Sequence, residues 1–326
     1  MIRVGIDIGA NSLRLVMEGK GIVFDEPCMV ALDRKGNALA IGNAARELKG
    51  SDDDEFRVVS PFEGEKVDFE AMDALLEALC YEFRIFRMFQ KTILLVSHPT
   101  VMSAGTVNIL RDHLLSLGAW RVYFDQEIWI SAIGAKLDLF LPVGSCVMNI
   151  GFSNCDIALF QQGKIAARSS CGVNGRTVHE TIASWLKMSH NMVVSDETLD
   201  MITRKLGCVK IQSQPLFMEI TGQDVQAREL RRMMVDENQI AAVLSPLVRE
   251  WACWVSRFIA ALDPQQQEDI RMRGIVSCGG TMKLNGLADS LKTMADCPVY
   301  VTDNPVNTVA QGLEILMGRL SAAEPE

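Results

Sequence analysis

The 326-residue chain has no run of about 18 uncharged apolar residues, so no transmembrane helix is indicated. Its start, Met1-Ile2-Arg3-Val4-Gly5, lacks the basic region, apolar run and small-residue cleavage site of a signal peptide, and a cytoplasmic location is expected. Histidine is scarce, with four dispersed residues, and the nine cysteines contain no CxxC pair. Neither a zinc site nor a disulfide framework is supported. The cysteines read as reduced core thiols. An excess of positive charge is also missing. A net charge of −9 argues against bulk nucleic-acid binding, which needs a basic face to displace counterions.

What the chain has is apolar mass and a repeat. Hydrophobic residues make up 48% and charged residues 22%, enough for a core in a chain long enough for two domains. Near the start stands Val4-Gly5-Ile6-Asp7-Ile8-Gly9-Ala10-Asn11-Ser12, followed by the apolar segment 13–17 and the turn Gly19-Lys20-Gly21. In mid-chain stands Val147-Met148-Asn149-Ile150-Gly151-Phe152-Ser153-Asn154, then Ile157-Ala158-Leu159-Phe160 and the turn Gly163-Lys164. Each copy reads as a buried strand, a glycine turn, a second strand and a hairpin into a third.

After the first copy, strands are expected near 91–96 and 121–124 and helices near 107–117 and 128–137. After the second, helices are expected near 176–187 and 238–262 and a strand at 274–277, with a glycine turn at Gly279-Gly280. Strands alternating with helices imply mainly parallel sheets with helical cover, and a duplicated α/β domain would put a cleft between its halves. The expected domains are 1–142, with a small subdomain near 31–56, and 143–326, with a small subdomain near 186–235. The acidic segment Asp52-Asp53-Asp54-Glu55 reads as a loop and Ala322 to Glu326 as a frayed tail.

A glycine turn directly after a strand lets backbone N–H groups close around a phosphate. An Asp at the strand end can hold hydrated Mg²⁺. Asp7-Ile8-Gly9-Ala10-Asn11-Ser12 resembles the first phosphate motif of the actin, sugar-kinase and Hsp-type chaperone superfamily. Within it, the segment from Gly19 to Pro27, Ser60-Pro61 with Val67-Asp68-Phe69, Ala132-Ile133-Gly134-Ala135 and Gly274 to Thr281 resemble the bacterial actin-like MreB/Mbl family, as do Asp303-Asn304-Pro305, Thr308-Val309-Ala310 and Gly312. The likeness is colinear from about residue 3 to 318.

The resemblance implies an α/β, actin-like (ribonuclease H-like) duplicated two-domain fold with a nucleotide cleft. It implies ATP and Mg²⁺ as ligands, polymerisation with copies of itself, and a cytoplasmic protein peripheral at the inner membrane surface. Its partners would be cell-shape or wall-synthesis proteins. The contacts it carries over are Gly9, Ala10, Asn11 and Ser12 in the first turn and Gly151, Ser153 and Asn154 in the second. Asn174 and Gly175 take the sugar motif, and Gly279, Gly280 and Thr281 the adenosine motif. Asp7 is the metal residue. Asp7, Asn149, Gln126 and Glu127 are the catalytic positions.

The second half departs from the family pattern. Asn149 stands where a carboxylate is expected and Phe152 where glycine favours close approach to phosphate. Asn174-Gly175-Arg176 puts a cation where the sugar-contacting Asp belongs, and the ribose pair falls at Thr203 and Lys205 without its Glu. ATP hydrolysis is the most this site would support, and weak or lost hydrolysis is expected. Rival readings are a non-polymerising pseudo-ATPase adaptor or chaperone-like protein and a sugar or metabolite kinase.

Arg84-Ile85-Phe86-Arg87-Met88-Phe89-Gln90-Lys91 interleaves apolar residues with three cations between a helix and a strand. The matching loop of MreB-type proteins inserts into membrane. By that resemblance Ile85, Phe86, Met88 and Phe89 would insert, each contributing roughly 1.5–3 kcal/mol of apolar transfer. By itself the pattern also fits the end of a core helix with its cations facing water. Trp251, Trp254 and Phe258 read as a core stripe on one helix.

Overall fold

Runs of β-branched and large apolar residues at 2–8, 92–98 and 145–150 form strands buried on both faces, as parallel sheets under helical cover require. A computed structural model describes residues 1–50, 55–63, 66–100 and 102–323. The acidic segment 52–54 and the last three residues lie outside that range. The ten strands of the two main sheets are numbered β1 to β10.

The first sheet contains Ile2–Ile8 (β1), Ser12–Met17 (β2), Gly21–Pro27 (β3), Thr92–His98 (β4) and Arg121–Gln126 (β5), in the order β5-β4-β1-β2-β3. Strands β1, β4 and β5 run parallel, while β1, β2 and β3 form an antiparallel meander. The second sheet repeats the plan with Ser145–Ile150 (β6), Cys155–Gln161 (β7), Lys164–Ser170 (β8), Ile275–Cys278 (β9) and Val299–Val301 (β10), in the order β8-β7-β6-β9-β10. The internal repeat is therefore a repeat of topology.

Helices Phe69–Glu82 (α1), Ala104–Ser116 (α2) and Glu127–Gly134 (α3) belong with the first sheet, and Gly175–His190 (α4) and Glu237–Ala260 (α5) with the second. Asp68, singled out by its motif, caps α1 by accepting a 3.1 Å bond from the Ala71 amide. Trp251 and Trp254 on α5 are core residues, as their spacing indicates. Their indole N–H groups donate to the Val173 carbonyl at 2.8 Å and the Ser169 hydroxyl at 2.9 Å. All nine cysteines are free thiols, and seven of them are buried.

The chain divides into two units, Met1–Leu137 with the segment from Asn307 on, and Asp138–Val306. The expected division at 142/143 places the C-terminal helix Thr308–Ala323 (α6) in the second domain, but the helix belongs to the first unit. Val309, Ala310, Leu313 and Met317 share a core with Val16, Ile93, Leu95 and Ile130 of the first unit. Glycines permit the approach. A Cβ on Gly134 would stand 1.8 Å from the Thr308 carbonyl oxygen, and one on Gly312 would stand 2.1 Å from that of Ile130. Each unit carries a small extra sheet. Strands Val30–Asp33, Ala38–Ile41 and Phe56–Val59 make one, and Met192–Val193, Phe217–Asp224 and Leu230–Asp236 make the other.

Candidate functional site

Both glycine turns close in the same way. The Gly9 amide donates to the Ser12 carbonyl at 3.1 Å, and the Gly151 amide to the Asn154 carbonyl at 2.8 Å. A Cβ on Gly9 would lie 2.8 Å from the Ser12 oxygen, so the turn needs glycine there. No hydrogen bond from the central amides of either turn, Ala10 and Asn11 or Phe152 and Ser153, is found among the described residues. Amides left open in a tight turn are what a phosphate oxygen requires.

In the first unit, three parallel strands end together. Asp7 on β1 is in register with Ser97 on β4, which is in register with Asp125 on β5. Ligands of open α/β sheets bind at such carboxyl ends. Gln126 ends β5 and Glu127 opens α3, so these two catalytic candidates stand at the same edge as Asp7. Sequence reasoning missed His98 and Asp125 beside them. Burial pushes the His98 imidazole down from its ordinary value, and partial desolvation raises the carboxyl of Asp125, an exposed residue. Their signal was a polar residue directly after an apolar strand run.

Asp7 differs from its expected role. It is buried, and Arg14 Nη1 donates to its Oδ2 at 3.1 Å, while Arg14 Nε meets Asp25 Oδ1 at 3.0 Å. Asp7 and Arg14 are direct partners in the β1–β2 register. Burial pushes the Asp7 carboxyl above the usual carboxylate value, and Arg14 pulls it back. The equivalent pair in the second hairpin is Asn149 and Asp156, with the carboxylate on the other strand. Asp156 Oδ1 accepts a 2.5 Å bond from Ser170. These residues do not fit a magnesium ion. The one expected metal ligand already neutralises a guanidinium, and its counterpart is an amide. Among the described residues no group of three or more His, Cys, Asp or Glu side chains is placed to hold a metal.

The second unit gathers its other candidates around one carbonyl. The Gly151 oxygen accepts from the Gly175 amide at 2.9 Å and from the Thr281 hydroxyl at 3.0 Å. The Arg176 amide donates to Phe152, and Asn174 caps α4 by accepting from the Thr177 amide at 3.3 Å. The first amides of α4 are thus taken by protein, and Asn174 and Gly175 brace the turn. Gly279 has φ +94°, and a Cβ there would stand 2.4 Å from Asn149 Oδ1. Gly280 has open space beside it. The Phe152 ring lies edge-on to His179 at 5.3 Å and under Arg176 at 5.4 Å. Thr203, expected near a ribose, bonds the Leu199 carbonyl of its own helix at 2.9 Å.

The loop after α1 splits the expected membrane residues. Ile85 is fully buried in the first core, and Phe86 packs half-buried against Gly118. Ile85 is therefore corrected to a core residue, because the chain turns inward there with Arg84 at φ 48°. A tight turn follows, in which the Gln90 amide bonds the Arg87 carbonyl at 3.1 Å. Its tip, Met88 and Phe89, is exposed, at 84% and 101%. Lys91 Nζ sits 4.4 Å from the centre of the Trp120 ring. No helix among the described residues is long and apolar enough to cross a membrane.

The family model described as MreB/Mbl protein matches residues 1–324, nearly the whole chain. The chain belongs to the MreB/Mbl family. Among curated relatives, the cell shape-determining protein Mbl of Bacillus subtilis (strain 168) is 28% identical over 319 residues, covering 97% of this chain and 96% of that protein. MreB 5 of Spiroplasma citri, solved with AMPPNP bound, superposes with a TM-score of 0.90 at 22% identity, covering 99% of this chain and 97% of that one. A MamK double helical filament gives a TM-score of 0.79 at 14% identity, covering 97% and 98%. The fold is actin-like.

Proposed function

We propose that this chain is an actin-type filament subunit that binds adenine nucleotide, hydrolyses it slowly or not at all, and acts in cell-shape control at the inner membrane surface. The observation that carries the nucleotide reading is the pair of identically closed glycine turns with open central amides. Gly9, Ala10, Asn11 and Ser12 would meet phosphate in one turn and Gly151, Ser153 and Asn154 in the other. Gly279, Gly280 and Thr281 would border the base and sugar. The AMPPNP carried by the Spiroplasma relative supports this choice of ligand, and the MamK filament supports self-assembly. The names of the Mbl and MreB relatives support the cell-shape role.

Slow turnover follows from the charges. Gln126 and Glu127 can orient a water, but Asn149 brings no carboxylate and Asp7 is committed to Arg14. Losing one preorganised contact at the transition state costs about 2.7–4 kcal/mol. Met88 and Phe89, flanked by Arg84, Arg87 and Lys91, would dip into an anionic lipid surface.

High-speed sedimentation of the purified chain with ATP and with AMPPNP tests the reading. Protein should appear in the pellet above a threshold concentration with either nucleotide, and phosphate release should lag far behind assembly. A chain that binds nucleotide yet stays in the supernatant at every concentration would be an adaptor, and the filament reading would fall.

A further inference from the structure

A nucleotide polyphosphate brings several negative charges, and a site must meet them with cations, dipoles or a metal ion. In the first unit the carboxylate that would carry a hydrated metal is engaged. Arg14 and Asp7 have side chains only 10% and 5% exposed, and the guanidinium bridges Asp7 and Asp25. Taking Asp7 for a metal would leave a buried guanidinium with only the more exposed Asp25. In the second unit the equivalent position is Asn149, and the nearby Asp156 is bonded by Ser170.

A different cation stands at the second turn. Arg176 is half-buried at the start of α4, with Nη2 3.3 Å from Ser153 Oγ and its guanidinium over the Phe152 ring. Neither partner carries charge, and no ion pair of Arg176 is found among the described residues. A planar guanidinium fork suits two phosphate oxygens at once. It lies on the turn whose Ser153 amide is open.

We propose that this chain binds nucleoside di- or triphosphate in its metal-free form, with Arg176 supplying at the 151–154 turn the positive charge a magnesium ion would otherwise bring. Arg14, by holding Asp7, keeps the first turn from taking the metal. This rests on the nucleotide reading above and deepens it.

Calorimetric titration of the full chain with ATP and with ADP, in excess EDTA and in excess Mg²⁺, tests it. Binding in EDTA should be at least as tight as in Mg²⁺. Arg176→Gln should weaken binding in EDTA by about tenfold to a hundredfold, the loss of one charged hydrogen-bonding group. Arg176→Lys should fall between the two, and circular dichroism of both variants should match the unmodified chain. Binding that requires Mg²⁺ would overturn the inference and leave the nucleotide reading standing. No binding in either medium would overturn both. An Arg176→Gln chain that folds and binds metal-free nucleotide undiminished would remove Arg176 from the site and overturn the inference.

Discussion

The Asp7–Arg14 contact gives a test whose magnitude follows from geometry. At 3.1 Å and an effective dielectric of about 20, two unit charges attract by about 5 kcal/mol. Removing both ions from water costs several kcal/mol each, so the pair as a whole contributes little net stability. Breaking it from one side is different. Arg14→Leu leaves a buried carboxylate without its cation, an expected loss of about 3–5 kcal/mol at pH 7. Asp7→Asn leaves Arg14 its contact to Asp25, and about 1–3 kcal/mol is expected. The double variant removes both charges and should be more stable than Arg14→Leu alone. Urea denaturation followed by circular dichroism reads all four proteins. The Arg14→Leu deficit should shrink as pH falls, because the stranded carboxyl gains a proton in the folded state at a pH where the unfolded chain remains ionised. Losses that add to within about 0.5 kcal/mol would refute the buried-pair account.

Four further outcomes are expected. Gly134→Ala drives a methyl group onto a backbone oxygen 1.8 Å away and should cost about 1–3 kcal/mol or more by thermal unfolding. Gly318→Ala, on α6 with open space around it, should stabilise by about 0.5–1 kcal/mol. Burial holds His98 and His179 below their ordinary value of 6.5, so the unfolded chain binds the more protons there. Stability should therefore fall as pH drops through about 6.5, and His98→Gln should flatten that slope in a Tm series. Asp7, raised by burial, acts with the opposite sign nearer pH 4. Met88→Asp with Phe89→Asp should weaken flotation with anionic liposomes by at least about tenfold, given roughly 1.5–3 kcal/mol per inserted side chain. Unchanged flotation would discard the membrane tip.

The repeat was legible because its signals are local. A strand, a glycine turn and a second strand dictate a hairpin, and residues 142 positions apart play the same parts in both copies: Gly9 and Gly151, Ser12 and Asn154. The Arg14 contact lay in the same pattern unread, since hairpin register sets residue 14 opposite residue 7. The home of α6 was not legible. It depends on Gly134 and Gly312 meeting backbone far off in sequence, which no local periodicity encodes. Nor could hydrophobicity separate Ile85 from Phe89. Both are large and apolar, and two left-handed residues, Arg84 and Phe89, decide which side chain turns inward. The closing of α4 by the Gly151 and Phe152 carbonyls was likewise hidden, because the resemblance carries Gly151, Asn174 and Gly175 over as ligand contacts.

The central claim is that this actin-like chain assembles when nucleotide is bound, whether or not the nucleotide is hydrolysed. Negative-stain electron microscopy of the purified chain with AMPPNP tests it most directly. The account predicts filaments with the non-hydrolysable nucleotide as readily as with ATP. Dispersed particles at every concentration, under conditions where calorimetry shows the nucleotide bound, would contradict it.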